Sequence, residues 1–430
     1  MTNIFERNKR MDINGILNGV KCDCGRAHNC SIEYVYIEKG AIEKLTMLCG
    51  EYDNILLVAD ENTFFAAGSQ VEKALAAKKL KKVIFRGKKL LIPDETAIER
   101  VRKEIGKTEV IIGIGSGVIQ DLCKCISSLT KMPYMIVATA PSMDGYASDG
   151  AAMILGGMKK TVKAGLPKAI VADIDILKNA PMEMIKAGYG DIVGKYSALC
   201  DWKLSTIVTG EYFCQYIYDT TFKMIENTLK IAPGLLERNE ESIKILTEAL
   251  VVVGIMMSFA GTSRPASGSE HHLSHFFEIV GIVNSEPYFS HGIDVAYSTV
   301  ITAKLREKIV KTSFPDKIYR LSADEYTEKM NKIYKSVSEG CISLQNESGN
   351  YSTDRMPVYK QKEKEIRNVL LQMPKAEEIE QMLSVVSLDV EDFYKLYDKQ
   401  KIKDAILYAK DLKDRYTVLW LYYDLFGNKI

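Results

Sequence analysis

An α/β half built on a parallel sheet, followed by an all-helical half, is the architecture this sequence predicts, and three observations predict it. Short apolar, β-rich runs alternate with helical stretches up to about residue 185. After that point the strand signals vanish and long periodic segments carry the chain to its end. The length of 430 residues exceeds the roughly 250–300 at which a single core stops growing, so the two patterns read as two domains, 1–185 and 186–430.

The expected strands are "IEYVYIEKG" (32–40), "NILLVAD" (54–60), "KKVIFRG" (81–87), "EVIIGIG" (109–115), "YMIVATA" (134–140) and "KAIVADI" (168–174). Continuous apolar runs among them suit strands covered on both faces. Helical patterns lie between, as in "AAGSQVEKALAAKK" and "ETAIERVRKEIG". The second half reads as helix from "YFCQYIYDTTFKMIENTLKIAP" through "PKAEEIEQMLSVV" to "DRYTVLWLYYDLFG", with Pro374 at a helix start and Gly427 at a helix end. The polar stretch 345–357, "QNESGNYSTDRMP", is expected to be a mobile loop.

Composition narrows the function classes. A net charge of +1 shows no basic excess of the kind that argues for nucleic acid, and no long single-sign charge run argues for a tail. The N-terminal stretch lacks the apolar core of a signal peptide, and no run of about 18 uninterrupted apolar residues argues for a membrane span. Nine irregularly spaced cysteines read as reduced thiols, and the expected compartment is the cytoplasm.

"EVIIGIGSGVIQD" runs from a strand through Gly113, Gly115 and Gly117 toward a helix. Glycines let a pyrophosphate approach the backbone, and a helix start offers it unpaired N–H groups. The third glycine of the dinucleotide fingerprint would fall at 118, where Val stands, so a plain tight turn is an open alternative. Asp60, ending "NILLVAD", can accept hydrogen bonds from ribose hydroxyls and repel a 2′-phosphate; it can equally cap a helix.

Histidine is scarce, yet four of the five stand close in sequence: His271, His272, His275 and His291. In a helix, His271 and His275 share a face while His272 points about 100° away. His291 precedes Gly292 at an expected loop–helix junction, and Asp191, in "AGYGDIVG", reads as a helix start. Two histidines and one carboxylate would make a three-ligand metal site with open positions, the catalytic rather than the structural pattern. A second group, Cys22, Cys24, His28 and Cys30, offers suitable ligand types without paired C-x-x-C spacing, and a free-thiol loop is the alternative.

Six strings in order, "GIGSGVIQD", "VATAPSMDGYASDGAAM", "GYGDIVGKYSALCDW", "SRPASGSEHHLSH", "SHGIDVA" and "DRYT", resemble the iron-type alcohol dehydrogenase superfamily, and within it the sn-glycerol-1-phosphate dehydrogenases. The resemblance runs from about Asp53 to the C-terminus, and bacterial members share a similar "CDCG" lead-in. It implies an active site between the two domains, with the cofactor pyrophosphate on Gly115, Ser116, Gly117, Val118 and Ile119. Thr139, Ala140, Pro141, Ser142 and Ser148 would line the nicotinamide side. Asp144 would contact substrate, and Asp191, His271 and His291 would hold one divalent ion, nickel or zinc. His275 would sit beside the substrate as the proton relay, sharing the catalytic role with Asp191, and His272 would be structural.

Dihydroxyacetone phosphate and sn-glycerol 1-phosphate are the implied substrate pair, in a homo-oligomeric enzyme; Asp60 favours NAD over NADP. Phosphate-binding candidates are Arg264, Lys195, Lys159, Lys160 and Lys163. The family often carries three consecutive glycines where this chain has Gly115-Ser116-Gly117. A polyol dehydrogenase on the same scaffold, a dehydroquinate-synthase-like lyase (whose first metal ligand is glutamate) and a binding protein without catalysis are the competing readings.

Overall fold

The computed structural model describes residues 12–87, 91–156 and 158–427. Eight strands occur in chain order: β1 (Tyr34–Glu38), β2 (Asn54–Asp60), β3 (Lys79–Phe85), β4 (Val110–Gly115), β5 (Tyr134–Ala138), β6 (Gly150–Leu155), β7 (Met158–Lys163) and β8 (Ala169–Asp173). Six form one all-parallel sheet in the order β1-β8-β5-β4-β2-β3. Their sequence character follows their place in it. β4, β5 and β8 are buried at every residue, whereas edge strand β3 is exposed or half-buried over its first four residues and buried only at Val83 and Phe85. The pleat divides the apolar residues between two cores. Ile55, Leu57, Ile112 and Val137 face one side; Leu56, Val58, Ile111 and Ile136 face the other, in a core continuous with the helical region.

Helices that bear on the site are α1 (Glu61–Ala74), α2 (Glu95–Arg102), α3 (Gly117–Thr130), α4 (Met182–Thr209), α5 (Gln215–Leu236), α6 (Glu240–Ala260), α7 (Ser269–Asn284) and α8 (His291–Lys311). Among the described residues no strand follows Asp173. Helix α6 is long and apolar enough to cross a membrane, but 78% of its apolar window is buried inside the protein, so it is a core helix.

β2 and β4 are neighbours, yet the chain leaves β2 for β3 on one side and β4 for β5 on the other. This reversal of direction places a crevice at the carboxyl ends of β2 and β4, where Asp60 and Gly115 end up side by side.

Three expectations change. Residues 150–155 and 158–163 pair as antiparallel strands, β6 with β7, that sequence reading did not anticipate. The stretch 345–357 is not an open loop: 345–348 complete a helix, and buried Asn350 and Arg355 bond to each other at 2.5 Å. Asp191 does not start a helix; it lies inside α4, nine residues past the first. Small neighbours imitate a cap signal there because they serve a helix seam. Pro374 lies just ahead of the helix Ala376–Ser384, and Gly427, at φ +56°, closes Val418–Phe426.

Candidate active site

Strand β4 delivers Gly115 to the turn, Ser116 takes the N-cap position without capping, and α3 begins at Gly117. The first-turn amides of α3 are therefore left to solvent or ligand. A Cβ on Gly115 would lie 2.5 Å from the Ile119 Cβ, so glycine is needed for the turn itself. At Gly117 the nearest atom to such a Cβ would be 3.7 Å away, which leaves room above the amides. Thr139 N–H donates to the Gly115 carbonyl at 3.2 Å, bringing the segment Thr139, Ala140, Pro141, Ser142 alongside. The turn that follows is fastened by Lys124, whose Nζ donates to the carbonyls of Gly145 (2.6 Å) and Gly150 (2.9 Å) and to the Ser148 hydroxyl (3.2 Å). Val118 and Ile119 sit in the first turn of α3, with Ile119 packed inward.

The histidine cluster assembles across three helices. Ligand-capable atoms of Asp191 on α4, His271 on α7 and His291, the first residue of α8, all lie within 4.8 Å of one another. A seam of glycines makes this possible. A Cβ on Gly190 would come 2.5 Å from the Gly292 carbonyl oxygen, and one on Gly292 would overlap the Ala187 carbonyl. Without side chains there, α4 and α8 approach backbone to backbone, and Asp191 reaches His291.

A buried ammonium offsets part of the negative charge inside the cluster. Lys195, one turn beyond Asp191, is fully buried, and its ammonium lies 2.6 Å from both Asp191 Oδ1 and Asp144 Oδ2. Burial pulls the Lys195 pKa down, but the two carboxylates outweigh it and lift it above the ordinary value. Asp191 Oδ2 also accepts the Asp144 N–H at 3.0 Å. Two carboxylates against one ammonium leave a net negative charge in a dry place, which favours a divalent cation.

His271 Nε2 is 3.6 Å from Asp191 Oδ1, while its Nδ1 meets Glu270 Oε1 at 2.6 Å. The Glu270 carboxyl, pushed up to about 7 by burial, thus fixes the His271 ring orientation and tautomer. Burial, then the Lys195 charge, hold His271 neutral, as a metal ligand must be. Asp201 anchors the start of α7 by accepting from Ser269 N–H (2.6 Å) and Val418 N–H (2.7 Å), and burial raises its pKa to about 6.

The remaining candidates separate clearly. His275 is half-buried, with its ring centroid 5.6 Å from His291 and 6.1 Å from His271. His272 is fully buried on another side of α7, and neither ring nitrogen has a hydrogen-bond partner among the described residues. Asp60 Oδ1 caps α1 through the amides of Asn62 and Thr63, so the helix-cap reading holds, with Oδ2 making no bond to the capped amides.

Arg264 forms a two-pronged ion pair with Glu211 and bonds the Tyr416 carbonyl and Ser205, which commits it to the fold. Lys163 is exposed on β7, and the side chains of Lys159 and Lys160 lie outside the described residues. Cys30 does not join the other thiols; Cys214 takes its place beside Cys22, Cys24 and His28, because the chain turns toward β1 after His28.

Sequence reasoning missed Lys124, Glu270 and Arg415. Arg415 donates through Nη1 to Ser263 Oγ (3.0 Å) and the Ser267 carbonyl (3.2 Å); burial, then neighbouring Arg264, pull its pKa to about 10. The signal for Glu270 was present as an acidic residue adjoining a suspected ligand histidine.

The model of the iron-containing alcohol dehydrogenase family matches residues 36–181. A protein of Halalkalibacterium halodurans named glycerol-1-phosphate dehydrogenase (NAD(P)+) is 33% identical over 293 residues, covering 66% of this chain and 73% of its own. One of the same name from Bacillus licheniformis is 28% identical over 409 residues, covering 93% and 90%. Among solved structures, a probable glycerol dehydrogenase from Sinorhizobium meliloti superposes with a TM-score of 0.61 at 16% identity, covering 93% of this chain and 96% of its own. The iron-containing alcohol dehydrogenase of Thermococcus thioreducens gives 0.60 at 13% identity over 91% and 97%, which establishes likeness of fold. Fold, site and relatives agree: this chain belongs to the glycerol-1-phosphate dehydrogenase family of iron-containing alcohol dehydrogenases.

Proposed function

We propose that the protein catalyses the metal-dependent, NAD(P)-linked interconversion of dihydroxyacetone phosphate and sn-glycerol 1-phosphate. The observation that carries this reading is the convergence of Asp191, His271 and His291 beside the Asp144–Lys195 pair. An N2O donor set with one neutral histidine oriented by a carboxylate suits a divalent ion such as zinc or nickel. Uncapped amides at Gly117, Val118 and Ile119, with Gly115 and Ser116, suit a pyrophosphate, and Asp60 at the crevice suits the ribose hydroxyls of NAD better than the 2′-phosphate of NADP. When bound, the nicotinamide supplies the hydride and the divalent ion withdraws charge from the substrate carbonyl.

The chain's own residues then position the substrate and deliver the proton. Thr139, Ala140, Pro141, Ser142 and Ser148 shape the wall between cofactor and substrate, with Lys124 holding the Gly145–Gly150 turn rigid. Asp144, tied to Lys195, orients the substrate hydroxyls. His275, partly exposed beside His291, donates the proton to the forming alcohol. Arg264 and Lys195 are committed to carboxylates, so we assign the phosphate to Arg415, which bonds only through Nη1 among the described contacts. Residues 1–185 and 186–430 act as two units that enclose the reaction, in a cytoplasmic homo-oligomer.

The deciding experiment incubates metal-loaded protein with dihydroxyacetone phosphate and NADH, follows absorbance, and determines the chirality of the product. Oxidation of NADH that yields the sn-1 isomer and disappears on metal removal supports the reading. Oxidation of glycerol without turnover of the phosphate ester would assign the chain to polyol chemistry. Release of inorganic phosphate would assign it to lyase chemistry.

A further inference from the structure

The segment preceding β1 holds a second group of metal-ligating side chains, separate from the histidine cluster. Val20 N–H bonds the His28 carbonyl at 2.9 Å, and Gly25 adopts φ +82°, so residues 20–28 fold back as a small knuckle. The fold-back brings Cys22, Cys24 and His28 together and seats them on Cys214, the N-cap residue of α5, nearly two hundred positions away in sequence.

The geometry is that of a coordination sphere. Cys22 Sγ lies 3.5 Å from Cys214 Sγ, His28 Nε2 lies 3.3 Å from Cys214 Sγ, and Cys24 Sγ lies 3.2 Å from His28 Nε2. All four donor atoms fall within 4.8 Å of one another. A tetrahedral ion with sulfur at about 2.3 Å and nitrogen at about 2.0–2.1 Å spaces its ligands by roughly 3.5–3.8 Å, close to what is seen. A Cys22–Cys214 disulfide would need sulfurs at about 2.05 Å and would leave Cys24 and His28 without a reason to converge.

The surroundings orient the donors. The His28 ring is 2% exposed and stacks on Phe259 (centroids 5.3 Å, planes at 14°) and on Tyr216 (6.2 Å, 21°), which aims Nε2 at the thiols. Tyr212 OH lies 3.1 Å from Cys24 Sγ, and the Arg26 guanidinium stacks 3.5 Å over the Tyr212 ring. Arg26 also donates to the Ala260 carbonyl at the end of α6 at 3.1 Å.

We propose that Cys22, Cys24, His28 and Cys214 bind one structural zinc ion, distinct from the catalytic metal, that fastens the segment preceding β1 to the helical region. A closed three-sulfur, one-nitrogen set leaves no position for substrate, so the ion acts on the fold rather than on the reaction.

The test is metal analysis of the full chain purified from zinc-supplemented cells without chelator. The variant Asp191→Ala/His271→Ala, lacking two ligands of the other site, is expected to retain one zinc per chain, with an X-ray absorption spectrum reporting three sulfurs and one nitrogen. Cys214→Ser in that background is expected to lose the ion. If it fails to fold, cobalt-substituted Asp191→Ala/His271→Ala protein should show the thiolate-to-cobalt charge-transfer band and the strong visible absorption of a tetrahedral site. Absence of zinc from Asp191→Ala/His271→Ala, a shell of oxygen and nitrogen only, or a Cys22–Cys214 disulfide found by mass spectrometry overturns the proposal.

Discussion

The two ligand clusters of this chain are built from different chemistry by different means. Asp191, His271 and His291 come from the middles and ends of three helices pressed together by glycine, with a buried ammonium and extra carboxylates around them. Cys22, Cys24, His28 and Cys214 come from a short turn laid against one helix start, with aromatic rings around them. The first set offers three hard or intermediate donors in a charged pocket and leaves room for a reactant. The second offers soft donors in a closed set. The contrast teaches that the open donor set rests on a rigid frame of close-packed helices around buried charges, whereas the closed thiol set rests on a turn and an anchor.

The largest expected effect breaks the first cluster alone. Asp191→Ala should lower kcat by at least roughly 10³-fold, because the metal position and the Lys195 partner are lost together. Steady-state kinetics with parallel metal analysis would check this, and full activity in that variant would remove Asp191 from the reaction.

Cys214→Ser should do the opposite. Its activity when folded should stay within about two-fold of the parent, while stability falls by about 3 kcal/mol, the scale for losing a cross-link that closes a long loop. Denaturation midpoints measured beside kinetics separate the two clusters. Equal loss of both quantities would mean that the knuckle serves the reaction.

A pH scan sharpens the comparison next. Asp201, fully buried near the histidine cluster, has a folded pKa of about 6 against an ordinary value of 3.8. Between those values the folded state binds more protons than the unfolded one, so this group's contribution is complete below about pH 4 and is lost as pH rises through about 6. The loss is roughly 2–3 kcal/mol across that window. Asp201→Asn should flatten this part of the stability profile relative to the parent, while lowering overall stability because one amide hydrogen would face a backbone N–H donor. An unchanged slope would assign the window to other groups.

The smallest effect concerns the seam. Gly190→Val should cost about 1–3 kcal/mol from overpacking against Gly292 and Ala296, and should weaken metal binding at the histidine cluster but not at the thiols. Equilibrium dialysis of each metal site would show whether helix spacing is transmitted to one cluster only.

Legibility in the sequence followed the range of the forces involved. β2, β4, β5 and β8 were visible because a strand covered on both faces must be apolar throughout, and that is a local property. The β6–β7 pair was not, because "GAAMILGGMKKTVK" mixes small and charged residues that gain strand character by pairing with each other. The histidine spacing on α7 was legible for the same local reason, whereas Asp191 was misread as a helix start because its glycine neighbours serve a second helix.

By itself, then, the sequence determined the six strands of the parallel sheet and the switch to helix after them, the glycine turn after β4, and the side-chain types available at each position, since these depend on neighbours a few residues apart. Tertiary structure alone decided that Lys195 is shared between Asp144 and Asp191, that Arg264 is committed to Glu211, and that Cys214 rather than Cys30 completes the thiol group. Apart from the Asp191–Lys195 contact, which spans one helical turn, those pairings join positions from about fifty to nearly two hundred residues apart. No local spacing encodes them, because packing of α4 through α8 against one another fixes which side chains meet.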